Sequence, residues 1–533
     1  MRLSLMPLWG AIALLASSVA MAATDSPCTI SAANGSTVNG SGLWGDVPMA
    51  TTQRSATDCD VDQFSWNNFL YLVSDDNNGH PRFMSLAPWY DAMPASGNPV
   101  WTGTYIPLQT TQLKNKMNRV QAGDDFQLLD VNGKTVAYDI RINQDFLTYI
   151  ADNDMYKKGT IAKAAAAFKQ NSSVGGIWLP PTPTNSSQSA LEIKTSWRAY
   201  GSADDVCPSD IMHCEKDSAG NWWGLIGMHM TQKTPQHGEM IWASFEHVAN
   251  SPDCNADGSN QIKKNPDSLN VNKNIPGLKD QTGWNLFNYT SYQAQGGDGQ
   301  KCIYPQKNGK GTPLCLTDPN PSGDKSTWIS VNSCRTDQLP KATNCDAATE
   351  NLHVTSCLNA NVQKNLPSSI ASKWANYRLI GAEYVEWGSA GTGAPLVGCW
   401  NFQDGEFGLK CVADKSGEIS VTLEGTTHLA NTTMETWMQK GINLKTASLK
   451  WTLTQQDCLS CHQPTTSLNQ GDMSHLFGRA QQIGDVEAGP IYSDSDAKNI
   501  CPGVCKNVGG KWNGQWTTTV PGTMSVCGCV PDK

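Results

Sequence analysis

Apolar residues between positions 58 and 74 fall at Phe64, Trp66, Phe69, Leu70 and Leu72, a spacing that fits an amphipathic helix packed on a larger core. From Leu128 the period changes. LLDV, the turn dipeptide Asn132-Gly133 and VAYDIRI alternate as a β-hairpin does, up to Asn143. A helical pattern follows from Asp145 through the alanines of 164–167 to Phe168. Residues 175–189, rich in Pro, Asn, Ser and Thr, read as a surface loop, and 191–200 returns to strand. Two more alternating runs, WWGLIGMHM and MIWASFEHV, flank TQKTPQHGE and read as neighbouring strands. Alternation sets His229 on a face with Leu225 and Gly227, and His247 on a face with Phe245 and Ala243. A strand histidine among apolar neighbours is more often a hydrogen-bonded core residue than a ligand.

Patterning fades over 253–367, a polar stretch rich in Asn, Gly, Lys and Pro that carries Cys254, Cys302, Cys315, Cys334, Cys345 and Cys357. It reads as a disulfide-stapled insertion with little regular structure. A patterned segment resumes at Lys373, and Cys399 and Cys411 are expected to pair with each other or with the insertion. Thr432 and Glu435 have capping-box spacing ahead of a helix. The expected fold class is α+β: a large, mixed, loop-rich and disulfide-stapled domain over 23–480, and a small α+β domain over 485–533.

Composition adds a compartment. Met1-Arg2, an apolar run from Leu3 to Val19 and Ala20-Met21-Ala22 have the form of a signal peptide over 1–22. No later run is long and apolar enough to span a bilayer, so a periplasmic or secreted protein is expected. The net charge of −9 over 533 residues leaves no basic footprint for nucleic acid. Of 18 cysteines, twelve lie between Cys28 and Cys411 and four between Cys501 and Cys529, and in an oxidising compartment both sets default to disulfides.

The remaining two carry the chemistry. Cys458-Leu459-Ser460-Cys461-His462 is Cys-x-x-Cys-His, the attachment pattern of one covalent haem c: the thiols add across the vinyl groups and His462 reaches the iron as proximal ligand. A thioredoxin-like redox pair lacks the preceding βα signal, and half a zinc site lacks a second Cys or His pair of fitting spacing. His229 or His247 is the candidate distal ligand; Met473 and His475, eleven and thirteen residues beyond His462, are further alternatives, though that loop is short for carrying a distal ligand around a haem edge. Catalytic residues are not assigned: neither G-x-S-x-G nor H-E-x-x-H occurs.

Four stretches resemble a group of uncharacterised bacterial exported cytochrome c-like proteins: FSWNNFLYL from Phe64, GMHMTQKTPQHGEMIWASFEHVANSPD from Gly227, LANTTMETWMQ from Leu429, and CLSCH. The resemblance implies a haem protein in which His229 and His247 recur, without naming a reaction.

Residues 488–531 form a separate unit, read as loop, short helix, a Gly509-Gly510 stop and two strands around Pro521-Gly522. Cys501 and Cys505 share a helix face and Cys527 and Cys529 a strand face, so two disulfides between them follow in either pairing. The unit resembles the repeat of the cyanobacterial mannan-binding lectin family through Gly489-Pro490, the helix at Ala497, Asn513-Gly514-Gln515-Trp516-Thr517-Thr518 and Met524-Ser525-Val526. That family lacks the four cysteines and has Trp at the position of Tyr492. The resemblance implies an oligomannose-type site: Trp516 and Tyr492 stack on a sugar face, and Asn513 and Gln515 bond its hydroxyls. Trp512 and Trp516 equally suit the core of a tiny domain.

The combined expectation is an exported electron-transfer haem protein with a redox partner protein and a glycan-binding module. The alternative is a haem enzyme, a peroxidase or oxidase, targeted to polysaccharide.

Overall fold

The computed structural model describes residues 57–115, 118–119, 128–170, 177–180, 189–252, 284–287, 339–387, 431–435, 474–480 and 482–531, apart from a few positions within them. Shorter pieces are 28, 39–48, 302–303, 314–315, 335, 410–413, 417–425 and 462. The expected signal peptide, Cys458, Cys461, Met473, Cys399 and most of the Cys-rich insertion lie outside these residues.

Nine strands make one sheet: β1 (Ala87–Pro88), β2 (Ala137–Ile142), β3 (Leu191–Ala199), β4 (Cys214–Lys216), β5 (Trp222–Gln232), β6 (Ile241–His247), β7 (Tyr377–Trp387), β8 (Lys410–Ala413) and β9 (Gly417–Gly425). Their order is β1-β2-β3-β5-β6-β7-β9-β8, with β4 beside β5. The longer helices are α1 (Asp58–Val73), α2 (Gln144–Asp152), α3 (Lys158–Gln170), α4 (Asn351–Asn365) and, in the C-terminal module, α5 (Asp494–Asn507).

Alternation gives the sheet two unlike faces. Ile193, Met228, Met230, Ala243, Phe245 and Leu379 join one hydrophobic core with α1 and α4. Phe69 of α1 stacks on Phe245 at 4.1 Å, Trp66 meets the same ring edge-on at 5.1 Å, and the Trp66 indole donates to Asn359 Oδ1 on α4. Helix α1 starts at a capping box between Thr57 and Asp60, but it is buried nearly all round rather than amphipathic. Its inward polar groups hold other chain: Asn67 Oδ1 accepts from Gly40 N, and Asn68 Oδ1 from Trp44 N at 2.7 Å. Buried amides that satisfy distant backbone carry no periodic signal.

Three further expectations change. The hairpin at Asn132 shrinks to a single bridge between Leu129 and Thr135, and β2 pairs with β3 along one edge and with β1 along the other. The helical stretch after Asp145 splits into α2 and α3 around Asp154, whose φ of 55° is left-handed. The insertion ends in the regular helix α4, stapled by Cys345–Cys357. Cys28–Cys59, Cys207–Cys214, Cys501–Cys527 and Cys505–Cys529 are also bonded, which suits an oxidising compartment. Among the described residues no helix is long and apolar enough to cross a membrane.

The module has three strands rather than two. β10 (Gly484–Gly489), β11 (Gly510–Val520) and β12 (Met524–Pro531) lie in the order β10-β12-β11, with α5 packed on them through Ala497, Cys501 and Cys505. The chain entering β10 docks on α3. Lys158 N donates to Gln482 O at 2.6 Å, Gly159 N to Ile483 O at 3.1 Å, and Lys163 pairs with Glu487. A Cβ on Gly159 would stand 2.9 Å from the Ile483 oxygen, so the contact requires glycine there.

Candidate functional site

The second face of the sheet sets polar rows beside a second apolar cluster that includes Ile140, Ile142 and Trp242. Cross-strand partners share a face, which gives two rows: Glu192, Thr231, Trp242 and Glu383, then Lys194, His229, Ser244 and Gly381. A register shift opposite Ser196–Trp197 inserts an extra residue into β5 at Ile226. It turns Leu225 to the apolar core while Gly227 and His229 face the polar side, so the expected shared face of His229 with Leu225 does not form.

Residues 431–435 close over this face. Asn431 donates its amide to Ser244 Oγ at 3.0 Å and Phe245 O at 2.8 Å, and its Oδ1 accepts from Thr433 N. Thr433 Oγ1 meets Ser196 Oγ at 2.7 Å, and the Tyr138 hydroxyl donates to Thr433 O. Only a glycine at 227 allows the fit, since a Cβ there would lie 2.4 Å from Thr433 Oγ1. The expected Thr432–Glu435 capping pair is replaced: Glu435 Oε2 accepts from Asn431 N, and the Thr432 hydroxyl goes to Glu246. This places Glu435 Oε2 3.2 Å from His229 Nε2, close but off the line of a hydrogen bond.

His462 reaches the same face. Its ring lies 4.3 Å from that of Trp242 and stacks on His475 at 3.9 Å with planes 11° apart. His475 opens a short 3₁₀ turn capped by Ser474, whose hydroxyl donates to Glu192 at 2.5 Å. Sequence spacing alone set His475 as a ligand alternative to His229; the fold brings His462, His475 and Trp242 together, with His229 diagonal to Trp242 across β5–β6.

His247 is elsewhere. It is fully buried, its Nδ1 accepts from Ala249 N at 3.1 Å, and its Nε2 donates to Ile211 O at 3.0 Å. Both nitrogens serve the backbone, and burial pushes the imidazole down to about 4. His229 lies on the face that His462 reaches, whereas backbone groups take both ring nitrogens of His247. Between about pH 4 and 6.5 the folded chain binds fewer protons here than the unfolded chain, so stability rises with pH across that window. Lowering the pH through it should remove about 3 kcal/mol. Urea midpoints of His247→Gln across that range should lose this slope, and an unchanged slope would assign it to other groups.

The module builds a second surface. Ser493 caps α5 by accepting from Asp496 N, which sets two carboxylates in the first turn. Asp494 Oδ1 accepts from the Trp516 indole at 2.9 Å, and Asp496 Oδ2 from Tyr492 N at 3.2 Å. Tyr492 is 73% exposed and its hydroxyl donates to Gly522 O. Asn513, Gly514 and Gln515 bulge between Trp512 and Trp516, with Gly514 at a φ of 90°. Asn513 Oδ1 accepts from Gln515 N, and the Trp512 indole donates to Gln515 O. Gly489 turns the chain at a φ of 74° ahead of the exposed Pro490. Both tryptophans are half-buried on the disulfide core, so Trp516 serves packing and surface at once. Asp494 and Asp496 were missed from sequence, although Ser-Asp-Ser-Asp ahead of a helix is a capping signal.

Residues 494–529 match the family of mannan-binding proteins typified by MVL. Over 42 residues, 8% of this chain, the sequence is 43% identical to the lectin MVL of Microcystis viridis, and the match covers 37% of that lectin. The chain thus spans little more than a third of the relative it matches. No solved structure matches. The chain therefore carries a C-terminal domain of the mannan-binding lectin type.

Proposed function

We propose that this protein binds a mannose-type glycan through its C-terminal module. One observation carries the reading: the first turn of α5 holds the Trp516 indole through Asp494 and the backbone of the exposed Tyr492 through Asp496, in a domain that matches mannan-binding proteins. Such a pair offers ring faces to sugar C–H groups, and Asn513 and Gln515 add polar edges next to it. The full chain should be retained on immobilised mannan, and Tyr492→Ala, at a ring that is 73% exposed and outside the disulfide core, should lose retention at least tenfold, on the order of 1.4 kcal/mol, with an unshifted thermal transition. Equal retention of the two proteins would remove the reading.

A second reading is supported by His462, whose ring rests on Trp242 on the face that also carries His229. We infer an exported c-type haem protein, periplasmic or secreted, in which Cys458 and Cys461 would hold the haem through thioethers and His462 would donate to its iron. The donor set fits: an imidazole on an aromatic floor, and a second imidazole whose buried Nε2 makes no hydrogen bond. Bound haem would supply one-electron chemistry. Trp242 then excludes water from one side of His462, and Glu435 is placed to orient His229 or exchange a proton with it. Electron transfer with a redox partner protein is the favoured use; peroxidase or oxidase activity is the alternative. Protein exported with haem-maturation machinery should give a pyridine haemochrome spectrum that survives acid-acetone extraction. Cys458→Ser with Cys461→Ser should abolish it, and extraction of the colour from the unmodified chain would sink the thioether assignment.

A further inference from the structure

Lys194 projects into the polar face with its Nζ 4.9 Å from the centre of the Tyr138 ring. Among the described residues no carboxylate lies within ion-pair distance of it and no hydrogen bond reaches it. Both nearby acids are engaged: Glu192 accepts from Ser474, and Glu435 accepts from Asn431 N while it faces His229. Glu435 acts on Lys194 across space and Glu192 more weakly, and between them in strength a second cation opposes both: Arg479, which donates to Asn118 Oδ1 and lies over the Trp89 ring. Burial brings the Lys194 amine down to about 8. Lys194 is half-buried, and an ammonium partly removed from water is costly unless an anion meets it; a ring face compensates only in part.

We propose that Lys194 is the anchor of a carboxylate-binding site on this face, with Arg479 adding positive field and Tyr138 as its aromatic wall. The carboxylate has two possible sources. One is a propionate of haem held at His462, which rests on the haem reading above. The other is a free small carboxylic acid, which does not.

The test reads the reactivity of the Lys194 amine toward an acylating reagent, quantified by peptide mass spectrometry on the full chain. In Cys458→Ser/Cys461→Ser protein, sodium propionate at about nine times its dissociation constant should slow acylation of Lys194 tenfold, and neutral propionamide should not. In protein carrying haem, Lys194 should already be protected if the carboxylate is the haem's own. Lys194→Met should then lower the midpoint potential, and Lys194→Arg should restore it, which mere shielding by the ring would not produce. Protection by propionate in the variant without loss of reactivity in the haem protein assigns the free acid. If no haem attaches, the propionate arm still decides. Acylation unaffected by propionate, propionamide and haem alike would overturn the proposal.

Discussion

Glu246→Ala should cost the main domain about 3–5 kcal/mol, the range for breaking a buried ion pair by removing one partner. Glu246 is 1% exposed, yet it is the counter-ion of two guanidinium groups. Arg335 and Arg378 both donate to it, the latter at 2.9 Å, and Thr432 adds its hydroxyl at 2.6 Å and its backbone N at 3.2 Å. Burial alone would raise this carboxyl; the two arginines and Thr432 hold it below the usual range. Alanine would strand two cations beside β6 and release Thr432, and with it the 431–435 segment that positions Glu435. Urea unfolding followed by tryptophan fluorescence reads the loss. A change below about 1 kcal/mol would mean that the pair behaves as a surface bridge does.

The second large effect concerns the module. Cys501→Ser with Cys527→Ser opens a bridge between residues 26 apart in sequence. Removing a native disulfide from a small exported domain typically costs about 2–5 kcal/mol, and a unit this small has little core to absorb it. The expected result is rapid proteolysis confined to 482–531 and loss of mannan retention, with the far-UV signal of the large sheet retained. Survival of the module to protease at its original rate would show that α5 and its three strands hold without the bridge.

These sites were legible in the sequence to different depths. The helix at Asp58 and strands β3, β5 and β6 could be read because periodicity is local. Cys501, Cys505, Cys527 and Cys529 gave the right set of bonds but two pairings. The choice is made by α5 crossing β12 so that Cys501 meets Cys527, a matter of long-range register. His229 and His247 looked alike, each a histidine in an alternating run. One inserted residue at Ile226 puts the first on the polar face, and a loop carbonyl at Ile211 consumes the second. Neither event leaves a local signal. The carboxylate that faces His229, Glu435, comes from far along the chain, and Lys194 was not singled out because a lysine in a strand ordinarily points to water.

The docking of β10 on α3 has a consequence for valency. A lectin repeat on a slack tether samples a volume, and its second encounter is governed by an effective concentration set by linker length. Here Gln482 and Ile483 are bonded to Lys158 and Gly159 directly before the module begins, and Lys163 is paired with Glu487. The module has a fixed bearing rather than a reach. Avidity toward a polymer of mannose would then be decided by how copies of the whole chain are spaced along it, and the large domain would be presented to every glycan in one orientation.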